Sequence, residues 1–170
     1  RCFFPDEYLD STYTIDFKKL YDRGYRGILF DIDNTLVPHG APADKRAVQL
    51  FRKLRGLGFS CCLVSNNKKK RVEPFAKAVG AGYIEMAAKP SRKGYEKAME
   101  NLGTNRGNSV FIGDQLFTDI WGANRLGIQT VLVKPINPKE EIQIVLKRYL
   151  ERIVLFFYKR SLAREKKVEK

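Results

Sequence analysis

Two carboxylates interrupt an otherwise apolar run in the segment ILFDIDNTLVPHG, residues 28–40. A strand buried on both faces excludes ionised groups, because an unpaired charge costs several kcal/mol to remove from water. Asp31 and Asp33 therefore have to sit where a strand ends and where a compensating charge can reach them.

The same kind of run recurs along the chain as GILFDID, FSCCLVSN, GYIEMAA, SVFIGD and IQTVLVKP. Helical patterns alternate with these runs, over 44–57, 69–79, 91–102 and 118–126, and each is closed by a nearby glycine. Such an order predicts an α/β fold, a Rossmann-like, doubly wound, parallel five-stranded sheet with helices on both faces. Ligands bind such sheets at the carboxyl ends of the strands. Residues 1–26 read as an extension packed on the core, with one helix over 16–22, and 27–138 as the core itself. From 139 to about 165 apolar positions recur at helical spacing on a Lys- and Arg-rich background, so 139–170 reads as a basic amphipathic C-terminal helix.

At 170 residues and 44% hydrophobic content, one domain with a proper core is expected. The formal charge of +13, from 32 Lys and Arg against 19 Asp and Glu, suggests a phosphate-bearing partner: nucleic acid, an anionic lipid surface or a phosphorylated substrate. Cys2, Cys61 and Cys62 form no C-x-x-C, and the last two lie in an apolar segment, which reads as reduced and structural. No run approaches the ~18–20 apolar residues of a membrane span, and the first residues lack a signal-peptide pattern. The expected place is the cytoplasm, with peripheral contact on the inner membrane face, or the matrix side in a mitochondrion.

A second strand ends on Asp114 and adds Asp119 five positions later. Strand ends thus bring Asp31, Asp33 and Asp114 to one edge, and this set of hard oxygens, with only His39 nearby, fits Mg²⁺ rather than zinc. Ser65, with the backbone amides of Asn66 and its successor, reaches the same edge as a donor to phosphate oxygens. Lys89 arrives from the next strand, where an ammonium can neutralise a transferring phosphoryl group. Each residue alone has a plainer reading: a capped turn for the aspartates, a turn for Ser65, a surface position for Lys89. Their joint order carries the functional one.

Asp-x-Asp-x-Thr at Asp31, Asp33 and Thr35, followed by Ser65, Lys89 and the Gly-Asp-x-x-x-Thr-Asp of residues 113–119, resembles the four motifs of the haloacid dehalogenase-like (HAD) hydrolases, over residues 27–135. The resemblance implies that Asp31 attacks phosphorus to form an aspartyl-phosphate. Asp33 would protonate the leaving alcohol and then deprotonate the hydrolytic water. It implies Mg²⁺ held by the Asp31 side chain, the Asp33 backbone carbonyl and Asp114, with Thr35 and Asp119 in support and with Ser65, Asn66 and Lys89 binding phosphate. An acid at Asp33 goes with the phosphatases of this superfamily, whereas its phosphate-transferring ATPases carry Thr.

Only 34 positions separate Asp31 from Ser65 and 24 separate Ser65 from Lys89, which leaves no room for a cap domain. Capless members, subfamily IIIA, leave the site open to bulky substrates. Lys68, Lys69, Lys70, Arg71, Arg92, Lys93, Lys134 and Lys139 all follow strand ends, so a positive funnel around the site and a merely solvated helix face both account for the KKKR run. The tail, with Lys159, Arg160, Arg164, Lys166 and Lys167 among aromatics, fits either packing on the sheet or a second subunit, or a membrane interface.

With the N-terminal FFPDEYLDS, the chain resembles the capless phosphatidylglycerophosphate phosphatases of bacteria and mitochondria. A peripheral phosphatase for that anionic phospholipid is therefore the expectation. The alternatives are a phosphatase for a polynucleotide end or a soluble phosphate, and a non-catalytic nucleic-acid- or ribosome-binding protein on the same fold. Nucleic acid is the less favoured partner, since the motifs are intact and no stacking pattern marks the strands.

Overall fold

The computed structural model describes residues 3–137 together with residues 151, 152, 154–156 and 158. Along the chain run β1 (Glu7–Leu9), α1 (Phe17–Asp22), β2 (Gly27–Phe30), α2 (Lys45–Leu57), β3 (Ser60–Val64), α3 (Lys69–Val79), β4 (Gly82–Ile84), α4 (Arg92–Leu102), β5 (Ser109–Gly113), α5 (Trp121–Asn124) and β6 (Gln129–Val133). The strands form one sheet in the order β1-β6-β5-β2-β3-β4, and every pairing is parallel.

Both faces of the sheet are covered. Ile28 and Phe30 of β2 enter a layer with Phe17 and Leu20 of α1, Phe51 and Leu54 of α2 and Phe75 of α3. Leu29, pointing the other way, joins Phe111 of β5, Tyr95 and Ala98 of α4 and Ala123 of α5. Alternate residues of one strand thus feed two cores, which is why its sequence is apolar throughout. The expected glycine stops also hold, since Gly58, Gly80 and Gly103 cap α2, α3 and α4 at φ of 95°, 67° and 64°.

The sheet has six strands rather than the expected five. β1 joins its edge, pairing with β6 at Glu7↔Val131 through Leu9↔Val133. Only three residues long and half-buried, it has no apolar run to announce it. Residues 1–26 also reach further than a packed extension would. The buried Thr12 hydroxyl donates to the Thr35 carbonyl at 2.8 Å, and the Tyr13 hydroxyl donates to the Leu36 carbonyl at 2.7 Å. The helix expected over 118–126 instead begins as one π-helical turn, Leu116–Ile120, that leads into α5.

Of the expected helix over 139–165, the described residues are helical, and Glu151, Val154, Leu155 and Tyr158 lie against the core while Phe156 is exposed. Val154 and Leu155 pack on Leu116, Ile120 and Leu132, the Tyr158 ring lies 5.3 Å from that of Phe4, and Glu151 accepts from the Leu116 amide at 3.0 Å. Lys159, Arg160, Arg164, Lys166 and Lys167 fall outside the described residues. Among the described residues no helix is long and apolar enough to cross a membrane.

The edge strand is pinned through Asp6, whose carboxylate accepts from the amide and hydroxyl of the buried Thr130 at 2.8 and 3.0 Å. Asp6→Ala is expected to lower stability by about 1–3 kcal/mol, the cost of leaving buried donors unmet. Urea unfolding followed by circular dichroism measures it, with Asp6→Asn recovering part of the loss.

Candidate active site

The carboxyl ends of β2, β3 and β5 and the loop after β4 converge at one edge of the sheet. β2 ends at Phe30, and the Asp31 amide donates to the Ile112 carbonyl at 2.9 Å, which fixes the first aspartate beside β5. The chain then turns sharply at Asn34, whose φ of 62° lies in the left-handed region that asparagine tolerates better than most residues. Behind this turn stand the Thr12 and Tyr13 hydroxyls, so the loop that carries both aspartates is braced from the N-terminal segment.

Lys89 is the hub. Its ammonium bridges Asp31 Oδ1 at 2.5 Å and Asp119 Oδ1 at 2.7 Å, with all three side chains buried. The Asn66 side chain clamps the Lys89 backbone from both sides, accepting from its amide at 2.6 Å and donating to its carbonyl at 3.1 Å. The Asn66 side-chain amide is thus committed to the Lys89 backbone. Asp119 is fixed in turn by the Gln115 amide, which donates to Oδ2 at 3.0 Å. A Cβ on Gly113 would lie 2.5 Å from that same oxygen, so glycine at 113 is a steric requirement of the Asp119 position. Tyr95 closes the floor, donating to the Thr118 carbonyl at 2.6 Å in the turn that carries Asp119.

Burial works against the charge on Lys89, but Asp119 and Asp31 more than reverse that and raise its pKa, so the ammonium is permanent. Burial likewise pushes the Asp31 carboxyl up, opposed by the Lys89 ammonium and reinforced by the charges of Asp119 and Asp33. Asp114 stands beside them and accepts from Thr35 Oγ1 at 3.3 Å. Carboxylate oxygens of Asp31, Asp114 and Asp119 all lie within 4.8 Å of one another.

Asp33 faces a different set. Its Oδ1 accepts from Arg71 Nη2 at 2.8 Å and from the Gly40 amide at 2.9 Å, while Oδ2 accepts from Asn67 Nδ2 at 2.6 Å. One carboxylate is therefore tied to the buried lysine, and the other is oriented by Arg71 of α3 and by Asn67 from the loop before it. Ser65 is buried at the end of β3, its hydroxyl accepting from the Asn67 amide at 3.2 Å. His39 is exposed.

Every expected site residue reaches this edge. Arg71 and Asn67 as partners of Asp33, and Thr12, Tyr13 and Tyr95 as supports, were not expected from sequence. Arg71 had a visible signal in the basic run, but nothing distinguished it there from Lys68, Lys69 and Lys70, which are exposed.

The haloacid dehalogenase-like hydrolase family model matches residues 41–127, a span that takes in Ser65, Lys89, Asp114 and Asp119. The chain is 36% identical over 162 residues to the Probable phosphatase YqeG of Bacillus subtilis (strain 168), covering 95% of this chain and 94% of that one. It is 27% identical over 164 residues to Phosphatidylglycerophosphate phosphatase 1, chloroplastic/mitochondrial, of Arabidopsis thaliana, over 87% of this chain and 45% of the plant protein. A solved HAD superfamily (subfamily III A) hydrolase from Legionella pneumophila shares the fold at a TM-score of 0.51 and 16% identity, with 71% and 72% of the two chains covered. By its family match and its Bacillus relative, this chain belongs to the haloacid dehalogenase-like hydrolases, among the phosphatases that cleave phosphoric monoesters.

Proposed function

We propose that this phosphatase is Mg²⁺-dependent, works through an aspartyl-phosphate on Asp31, and removes the terminal phosphate of phosphatidylglycerophosphate to give phosphatidylglycerol at a membrane surface. The observation that carries the chemistry is the buried Lys89 ammonium held between Asp31 and Asp119 beside Asp114. An all-oxygen set of this kind suits a hard cation. Both Asp119 oxygens are already engaged, one by Lys89 and one by the Gln115 amide, so Asp31 and Asp114 are the side chains that would hold the metal, with the Asp33 carbonyl. Mg²⁺ there would neutralise charge on the phosphoryl oxygens.

Asp31 Oδ attacks phosphorus and the alcohol leaves as Asp33, at the mouth of the site, gives it a proton; Asp33 then takes a proton from the water that cleaves the acyl phosphate. Lys89 stays charged throughout and offsets the negative charge of the transferring group, while Ser65 and the amides after it receive its oxygens. Arg71 and Asn67 keep Asp33 pointed at the leaving group.

Two observations support the lipid substrate. The connections between β2 and β3 and between β3 and β4 contain one helix each, so no inserted domain covers the described strand ends, and a site of this openness admits a headgroup in a bilayer. The plant relative bears the name of this reaction, though the chain spans less than half of it.

Phosphate release from phosphatidylglycerophosphate in mixed micelles, beside sugar phosphates, nucleotides and a 3′-phosphorylated oligonucleotide, tests the substrate. The lipid is expected to be turned over best, and turnover confined to the soluble or nucleic-acid phosphates would sink the lipid reading while keeping the chemistry. Asp31→Asn and excess EDTA should each abolish release, and Lys89→Met should lower kcat by about 10²–10³-fold. Gly113→Ala, which displaces the Asp119 carboxylate, is expected to cut kcat by at least about tenfold without unfolding the chain, checked by circular dichroism beside the assay.

A further inference from the structure

Four large apolar side chains are exposed among the described residues, namely Phe3, Met86, Ile136 and Phe156. Two of them stand at the mouth of the active site, on opposite sides. The Met86 amide donates to the Asn67 carbonyl at 2.9 Å, and Asn67 in turn holds Asp33. The Ile136 amide donates to the Asn34 carbonyl at 3.0 Å, so the Ile136 backbone lies against the turn that immediately follows Asp33. Met86 follows β4 and Ile136 follows β6, strands that flank β2 on either side in the sheet. The Ile136 backbone thus bonds the loop of Asp31 and Asp33 directly, and the Met86 backbone reaches it through Asn67.

Met86 is placed there against two costs. It is 67% exposed, and its φ of 44° lies in the left-handed region where a bulky residue is an outlier. Ala88, two positions on, has a φ of 53°. Strain of this kind persists at sites where the held conformation serves a purpose. At the same carboxyl edge of the sheet lie the exposed cations Lys68, Lys69 and Lys70 at the start of α3, Arg92 and Lys93 at the start of α4, and Lys134 after β6, of which Lys69 pairs with Glu73 and Lys134 with Asp10. Apolar tips inside a ring of positive charge match an anionic bilayer, which offers negative headgroups above hydrocarbon. A nucleic acid satisfies the ring but leaves exposed methionine and isoleucine without a counterpart.

We propose that Met86 and Ile136 form a two-pronged membrane anchor that straddles the active site and, with the surrounding cations, seats its open mouth on anionic lipid. This placement rests on the lipid-phosphate reading and adds to it the surface that meets the bilayer. Bound at both sides of the mouth, the protein presents Asp31 to headgroups in the plane of the membrane.

Co-sedimentation of the full chain with vesicles tests the anchor without any turnover. Vesicles of phosphatidylcholine containing phosphatidylglycerol should pull down the wild type, and pure phosphatidylcholine should not. Met86→Asp with Ile136→Asp is expected to weaken binding at least tenfold, whereas Lys53→Glu, in the exposed middle of α2, should change it little. Circular dichroism establishes that the double variant is folded, and Met86→Ser with Ile136→Ser, which adds no charge, should weaken binding in the same direction. Equal binding by the folded prong variants overturns the proposal, as does a wild type that ignores anionic vesicles or prefers an oligonucleotide to them. Turnover in micelles is read separately: binding that depends on the prongs with no hydrolysis of phosphatidylglycerophosphate would keep the anchor and discard that substrate.

Discussion

One buried ammonium sets the terms for this active site. Lys89 sits between Asp31 and Asp119 with almost no contact with water, and a carboxylate at that depth is tolerable only when a cation is held against it. Much of the surrounding structure serves to keep it there: Asn66 on its backbone, Gln115 on the far oxygen of Asp119, and a glycine at 113 because any side chain would strike that carboxylate. Among the described residues, three buried carboxylates, Asp31, Asp114 and Asp119, bring oxygens within 4.8 Å of one another beside that ammonium. Such a gathering of hard oxygens is a group that could hold a divalent cation, as the proposed chemistry requires.

The opening of α3 shows how the site and the fold share their charges. Lys68, Lys69, Lys70 and Arg71 crowd a helix start, where the backbone dipole disfavours cations, and the N-cap Lys68 offers no side-chain hydrogen bond to the first turn. Arg71 escapes the conflict by turning in toward Asp33, and so the carboxylate that a helix start ordinarily carries on itself is supplied by the neighbouring loop. The three lysines remain outside, facing whatever approaches the mouth.

Most of the core was legible because burial on both faces leaves a continuous apolar run, as in β2, where Ile28 and Leu29 enter opposite layers. The helix ends were legible because the left-handed stops at Gly58, Gly80 and Gly103 leave a local mark. The aspartates, Ser65 and Lys89 were legible through their order at strand ends. What escaped were features decided by pairing at a distance. β1 is too short and too exposed to carry a pattern, and its place follows from the free edge of β6. Thr12 and Tyr13 look like ordinary residues of a polar segment, and only the folded chain brings them beneath Thr35 and Leu36. Arg71 differs from its three basic neighbours by its direction on a helix, which a run of like charges conceals.

The edge position of β1 bears on how the chain emerges from a ribosome. Glu7 pairs with Val131, so β1, made ahead of the other five described strands, has no partner among them until β6 has been made. β2 and β3 can pair early, while β1 and the Thr12 and Tyr13 props wait. The loop that holds Asp31 and Asp33 is thereby completed late in synthesis, and a nascent chain stalled before β6 would lack its sheet edge. The loop of Asp31 and Asp33 would then stand without the full support that the finished protein gives it.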